Sequence, residues 1–103
     1  MKQKVSMKVE KSRDKLKTQF VKVLKKQAKS KTTVTAYAGL LNVFVKAFKN
    51  DPAKITGKEA VNYLRQIRRT KSNGYFMQSC SAIRLFYRDC LKNPRAEAVL
   101  SKL

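Results

Sequence analysis

Apolar side chains recur every three or four positions along most of the chain, the spacing that places them on one face of an α-helix. The clearest run begins at Val34 and continues through Tyr37, Leu41 and Phe44. A weaker run steps by four residues from Leu16 to Ala28. No segment alternates apolar and polar residues in the way that a half-buried strand does. The pattern therefore predicts an all-α fold.

Capping and breaking residues divide this pattern into four substantial helices and a short fifth one. The predicted helices cover about residues 14–28, 32–49, 57–71 and 75–92, with the short helix starting at Pro94. Thr32 or Thr33 is expected to cap the second helix, and Thr56 forms a capping box with Glu59 at the start of the third. Residues 72–74 indicate a turn. Residues 1–12 are expected to be disordered.

The fourth predicted helix has a marked apolar stripe. The residues expected on its buried side are Phe76, Cys80, Ile83, Phe86, Tyr87, Cys90 and Leu91. Those expected outside the stripe are Gln78, Ser79, Ser81, Arg84 and Arg88.

The charge changes the picture from fold to partner. The chain has 25 Lys and Arg residues against six Asp and Glu, a net charge of +19. Such a charge on a short chain favours a polyanionic partner, nucleic acid first and an acidic membrane surface second. We expect residues 1–29 to form a basic arm, partly helical or disordered, and residues 30–100 to form the folded domain. Basic clusters at helix ends can also simply be solvated or compensate the helix dipole.

Catalytic and metal-binding sites are not predicted. Histidine, the commonest general base and metal ligand, is absent. Cys80 and Cys90 would lie ~15 Å apart on one helix, too far for a disulfide, and two thiols alone make no zinc site. We expect free thiols in a reducing compartment, and neither a cofactor nor a metal. An apolar run of ~20 residues, long enough to span a membrane, does not occur in the sequence.

Short polar side chains gather at two predicted helix starts, where free N–H groups and the positive end of the helix dipole favour phosphate. Hydroxyls and amides there can bond phosphates or base edges, although a threonine at a helix start is more often only a cap. The candidate DNA-binding residues are Lys31, Thr32, Thr33, Thr35, Lys71, Ser72, Asn73, Tyr75 and Gln78, together with Arg84 further along the fourth helix.

Three stretches resemble a known family in order and spacing. The first is TVTAY at 33–37, followed by Leu41 and Phe44. The second has Ile, Thr and Glu at 55, 56 and 59, then Val, Tyr, Leu and Ile at 61, 63, 64 and 67. The third, QSCSAIRLFYR at 78–88, is similar to a helix written L-S-A-I-R-x-F-Y. Together they resemble the N-terminal core-binding, SAM-like domain of the tyrosine recombinase or phage integrase family.

The resemblance implies an orthogonal bundle of four to five helices that forms half of a C-shaped clamp on duplex DNA. The helices matching 32–49 and 73–92 would cross the major groove at a core recombination site. Catalysis is implied to reside in a separate C-terminal domain outside this chain, which carries the tyrosine nucleophile. None of Tyr37, Tyr63, Tyr75 or Tyr87 is therefore expected to be that nucleophile, and this chain alone is not expected to be an enzyme.

The resemblance also implies the partners. These are double-stranded DNA and the protein's own catalytic domain, with a homo-tetramer of the full-length protein on DNA and a monomer for this chain. The implied setting is cytoplasmic, on bacterial or phage DNA, in a phage or another mobile element that carries out DNA integration or recombination.

Two alternatives stay open on the sequence. One is a free-standing basic helical protein that binds RNA or coats DNA. The other is a membrane-surface protein with residues 14–29 as an amphipathic anchor. The basic arm has Phe20 as its one aromatic residue and the chain has no tryptophan, which argues against the membrane. The aromatic residues are predicted on buried stripes, whereas RNA binders expose them for base stacking.

Overall fold

The computed structural model describes residues 7–27, 29–48 and 51–102, and throughout these ranges the chain forms helices and short connections without a strand. Five α-helices follow in order: α1 (Met7–Lys26), α2 (Lys31–Lys46), α3 (Gly57–Thr70), α4 (Asn73–Leu85) and α5 (Pro94–Leu100). A 3₁₀ turn (Pro52–Lys54) precedes α3, and α4 continues into a π turn (Phe86–Cys90). The predicted all-α fold is confirmed.

The helix starts follow local capping chemistry. Thr56 caps α3 as predicted: the Glu59 N–H donates to Thr56 Oγ1 at 3.1 Å, and the Thr56 N–H donates to Glu59 Oε1 at 3.0 Å. For α2 the prediction of Thr32 or Thr33 was wrong, because Ser30 is the cap and accepts from the Thr33 N–H at 3.1 Å. The predicted turn at 72–74 was also wrong, because Ser72 caps α4 and residues 73 and 74 form its first turn.

The first helix departs most from the expected organisation. Phe20 and Leu24 are fully buried, and α1 packs against α2, the 3₁₀ turn and the π turn. The sequence was expected to divide at residue 30 into a basic arm and a folded domain. The packing does not follow that division, because α1 contributes to the core. Residues 7–12 are helical, contrary to the expected disorder, and the Ser12 hydroxyl donates to Asp51 Oδ1 at 2.6 Å. Residues 1–6, where that expectation also fell, lie outside the described residues.

The directions of the helices can be traced from contacts between distant residues. Near the start of α1 the Arg13 side chain donates to the carbonyl of Phe48, just past the end of α2, so these two helices are antiparallel. The rings of Phe20 and Phe86 meet in the middle of α1, and Gln27, just past its end, donates to Asp89 at 2.8 Å. The π turn that continues α4 therefore runs parallel to α1 and antiparallel to α2.

The central position of α4 explains why the prediction for Ser79 was wrong. Ser79 was expected outside the apolar stripe, yet it is only 2 % exposed. Because α4 contacts α2, α3 and α5, its buried arc is wider than one stripe and takes in small residues between the large ones. At the far end the buried hydroxyl of Tyr87 donates to the Ile55 carbonyl at 2.6 Å, which fastens the π turn to the connection before α3.

Candidate nucleic-acid interface

The start of α2 presents a cation and two hydroxyls to solvent. Lys31, Thr32 and Thr35 are exposed, whereas Thr33 is half-buried and belongs to the cap. The Ser30 hydroxyl accepts from the Thr33 N–H and donates to Thr33 Oγ1 at 2.9 Å. Three of the four candidates at this start are therefore exposed to solvent. The fourth, Thr33, is engaged in hydrogen bonds with Ser30.

The start of α4 has a similar arrangement. Ser72 Oγ accepts from the Tyr75 N–H at 3.2 Å, so this hydroxyl is the helix cap. Lys71, Asn73 and Gln78 are exposed, and Tyr75 is half-buried. Lys71, Asn73 and Gln78 thus offer a ligand one ammonium group and two amides.

Arg84 has a different environment from the other candidates. Its Nη2 lies 3.8 Å from Glu97 Oε2, an ion pair that links α4 to α5. Its Nε is buried without a hydrogen-bond partner among the described residues. The guanidinium is therefore engaged with α5 rather than with either helix start.

The two helix starts lie at opposite ends of the α2–α4 pair. Because α4 runs antiparallel to α2, the start of α4 lies towards the end of α2, where Tyr63 packs against Phe48 with ring centroids 6.2 Å apart. Burial, and after it the nearby Tyr75 at the start of α4, raises the pKa of Tyr63, which agrees with this placement. At 1.5 Å per residue the 16 residues of α2 separate the two starts by about 24 Å. A surface that includes both starts must extend along the whole helix pair.

Cations that the sequence had assigned to a non-specific arm border the start of α2. Lys25 and Lys29 line a groove of about 510 Å³ between α1 and α2, together with Lys31 and Thr35. The floor of the groove is apolar, formed by residues such as Val34. The signal for this proximity was the helical step of four through α1, which predicts a hairpin with α2 once α1 is recognised as part of the core.

Arginines form a further basic region on α3. Arg65, Arg68 and Arg69 are exposed near its C-terminal end, and the Arg68 guanidinium lies over the Phe76 ring, 5.6 Å from the centroid.

In the π turn, Arg88 forms an ion pair with Asp89 at 3.2 Å. The Arg88 hydrogen bond to Asp89 holds the pKa of that carboxyl below its ordinary value.

Burial works against nucleophile activation at two of the tyrosines and at both cysteines. Burial raises the pKa of Tyr87, whose hydroxyl is committed to the Ile55 carbonyl. Burial likewise raises the pKa of Tyr63 and of Cys80, and it raises the pKa of Cys90 to about 11. Both cysteines are free. An activated nucleophile needs the opposite shift.

Within the described ranges, no group of three or more His, Cys, Asp or Glu side chains is close enough together to hold a metal ion. None of the described helices has the length and apolar character needed to cross a bilayer.

A family model for the phage integrase N-terminal SAM-like domain matches residues 16–97. The match includes both helix starts and the C-terminal half of α1. Neither the curated proteins nor the solved structures compared with the chain gave a match.

Proposed function

The chain belongs to the phage integrase N-terminal SAM-like domain family, and from this premise we propose that it is the DNA-binding module of a site-specific tyrosine recombinase. In this role it clamps duplex DNA at a core recombination site while strand cleavage and rejoining take place in a separate catalytic domain. The observation that carries the proposal is that the family match, residues 16–97, contains both polar helix starts and the basic residues beside them.

Electrostatics supports a nucleic-acid partner. With a net charge of +19, the chain attracts a phosphate backbone before any specific contact forms. Lys25, Lys29 and Lys31 lie around one groove at the end of α1 and the start of α2. In this proposal these ammonium groups contact phosphates, which position the domain without reading sequence.

The length of the α2–α4 pair supports a duplex as the partner. A separation of about 24 Å between the two helix starts, the length of the 16 residues of α2, exceeds the ~12 Å width of the major groove. A domain laid across that groove can therefore reach the backbone of one strand with Thr32 and Thr35 and that of the other with Lys71 and Asn73. Gln78, one turn further into α4, is the candidate for a base edge, because its amide both donates and accepts.

The catalytic step belongs elsewhere in this proposal. The two tyrosines with raised pKa values, Tyr63 and Tyr87, have the wrong shift for a nucleophile. In this proposal the domain serves binding and orientation, and the full-length recombinase acts as a homo-tetramer on DNA.

A comparison of DNA and RNA duplexes of one sequence tests the proposal. A-form RNA has a deep, narrow major groove that a helix pair cannot enter. Fluorescence anisotropy at fixed salt should therefore give a lower Kd for the DNA duplex. Equal affinity for both, or tighter binding of the RNA, would support the alternative of a free-standing basic nucleic-acid binder instead.

A further inference from the structure

A second concave site lies between the end of α2 and the outer face of α3. It has a volume of about 240 Å³, and its lining residues are Ala47, Phe48, Glu59, Asn62, Tyr63 and Gln66. None of them is among the residues that the sequence placed at the DNA interface. The site is small, and it combines aromatic rings with amides and a carboxylate.

The α3 wall is set by helical spacing. Glu59, Asn62, Tyr63 and Gln66 occupy positions i, i+3, i+4 and i+7, so they share one face of α3. The two amides are exposed and each offers both a donor and an acceptor. Glu59 is held in place because its Oε1 accepts from the Thr56 N–H and hydroxyl. Its carboxylate therefore presents hydrogen-bond acceptors at a fixed position.

The aromatic part of the site is also held in place. The Tyr63 ring packs on Phe44 with centroids 5.1 Å apart and lies 6.2 Å from the Phe48 ring. The Arg13 side chain of α1 donates to the Phe48 carbonyl, which fastens the end of α2. Both Phe48 and Tyr63 are only half-buried, so part of each ring is open to a ligand. This is the partly exposed aromatic pair that the sequence pattern had not predicted.

Cations border the site without filling it. Arg69 lies one turn beyond Gln66 on α3, and Lys46 precedes Ala47 on α2; both are exposed. A ligand here would meet flat rings and hydrogen-bonding amides inside, with positive charge at the edge. A bare phosphate fits such a site poorly, because the Glu59 carboxylate would repel it.

We propose that this site binds a single unpaired nucleobase whose backbone phosphates lie towards Arg69 and Lys46. A nucleobase has a flat face for stacking on aromatic rings and an edge that amides can read. A duplex shows its bases only edge-on in the grooves, so a base must leave the stack to enter. The Glu59 carboxylate accepts hydrogen bonds, which favours bases with an exocyclic amino group over thymine or uracil.

The experiment compares two DNA duplexes that differ only by one extra unpaired adenine in the second. For the fluorescence measurement this adenine is replaced by its fluorescent analogue 2-aminopurine. Stacking of one base on an aromatic ring corresponds to a Kd change of about fivefold or more. We expect the bulged duplex to bind at least about fivefold more tightly than the paired one. We also expect the 2-aminopurine emission to fall on binding, and a thymine bulge to show less preference than an adenine bulge.

Substitutions of exposed side chains locate the effect while leaving the core intact. The double variant Asn62→Ala/Gln66→Ala should lose the preference for the bulge and keep the affinity for the paired duplex. Gln19→Ala removes an exposed amide from α1 as the matched control and should keep both properties. Tyr63→Phe, which retains the ring, should preserve the fluorescence change.

Three results would overturn the assignment: equal affinity for the two duplexes, a preference that survives the double variant, or an equal loss of both affinities in that variant. A chain that binds the bulged duplex in this way but not the paired one would overturn the duplex-clamping proposal and leave this assignment standing.

Discussion

The ring of Phe20 in α1 meets the ring of Phe86 edge to face, with centroids 6.1 Å apart and an interplanar angle of 83°. Both residues are fully buried. The pair joins a lysine-rich helix to the π turn that ends α4, 66 positions later in the sequence. An aromatic pair of this geometry contributes about 0.5–1.5 kcal/mol beyond the area it buries. This contact makes α1 a structural part of the bundle.

Phe20→Ala should therefore destabilise the whole domain. Removing a buried phenylalanine typically costs about 3–5 kcal/mol, a large share of the 5–15 kcal/mol that holds a domain folded. Urea denaturation followed by circular dichroism measures the change. Val43→Ala on α2 is the control, because Val43 is 49 % exposed and its loss should change stability by less than about 0.5 kcal/mol. A cost below about 1 kcal/mol for Phe20→Ala would support the separable arm expected from the sequence.

The close approach of α3 and α5 gives a second prediction. A Cβ added at Gly57 would lie 3.0 Å from the Cα of Ala96, whereas one at Gly39 in α2 meets open space. Gly39→Ala should stabilise the protein by about 0.5–1 kcal/mol because alanine favours the helix. Gly57→Ala should be less stable than Gly39→Ala by about 1 kcal/mol, since the backbone of α5 must shift. Equal gains in denaturation midpoint would show that α5 moves freely.

Local signals predicted more of the fold than tertiary ones did. The Thr56–Glu59 capping box was predictable because both partners lie within one turn. Three hydroxyl residues near the start of α2, at 30, 32 and 33, are all suitable N-cap residues. Local preference alone therefore could not select Ser30. The burial of Ser79 depends on helices packing around α4 from several sides, which no local pattern encodes.

The candidate site was predictable as residue types and not as an arrangement. Exposure of Lys31, Thr35, Lys71 and Gln78 agrees with their positions outside the apolar stripes. The placement of the two helix starts at opposite ends of the α2–α4 pair follows from the antiparallel packing, and the ion pair of Arg84 with Glu97 joins separate helices. That all the candidates bind DNA stays a prediction.

The groove between α1 and α2 predicts a specific salt dependence. If six phosphates are neutralised, log K for duplex DNA should fall with log salt at a slope of about −5. The double variant Lys25→Ala/Lys29→Ala should make the slope shallower by about 2, because each phosphate contact contributes about 0.9. Lys54→Ala/Lys58→Ala changes the net charge equally at another exposed place and should change the slope less. Anisotropy titrations at several salt concentrations measure the slope for both double variants. Equal slopes for the two would show that the groove does not contact DNA.

Cysteine reactivity follows from the environment of the thiols. Burial raises the pKa of Cys90 from 9.0 to about 11. The raised value favours the protonated thiol, so at pH 8 Cys90 has about a hundredfold less thiolate than an ordinary cysteine, and the thiolate is the reactive form. In a Cys80→Ser variant, alkylation of Cys90 should be correspondingly slow in buffer and fast in denaturing urea. Reaction in buffer at the rate of a free thiol would contradict the burial of this side chain.

Gln78 tests how the domain is oriented on DNA. The side chain is exposed on α4, so Gln78→Ala should change the free energy of unfolding by no more than about 0.5 kcal/mol. If its amide makes a bidentate contact to adenine, the variant should lose about 1–3 kcal/mol of discrimination at one base pair and bind other sequences almost unchanged. Amide chemical-shift mapping with a fully paired duplex should move signals at both helix starts, around Thr35 and Gln78. Shifts that cluster instead on Asn62, Gln66 and Arg69 would mean that α3 faces the duplex, because those residues share the outer side of that helix.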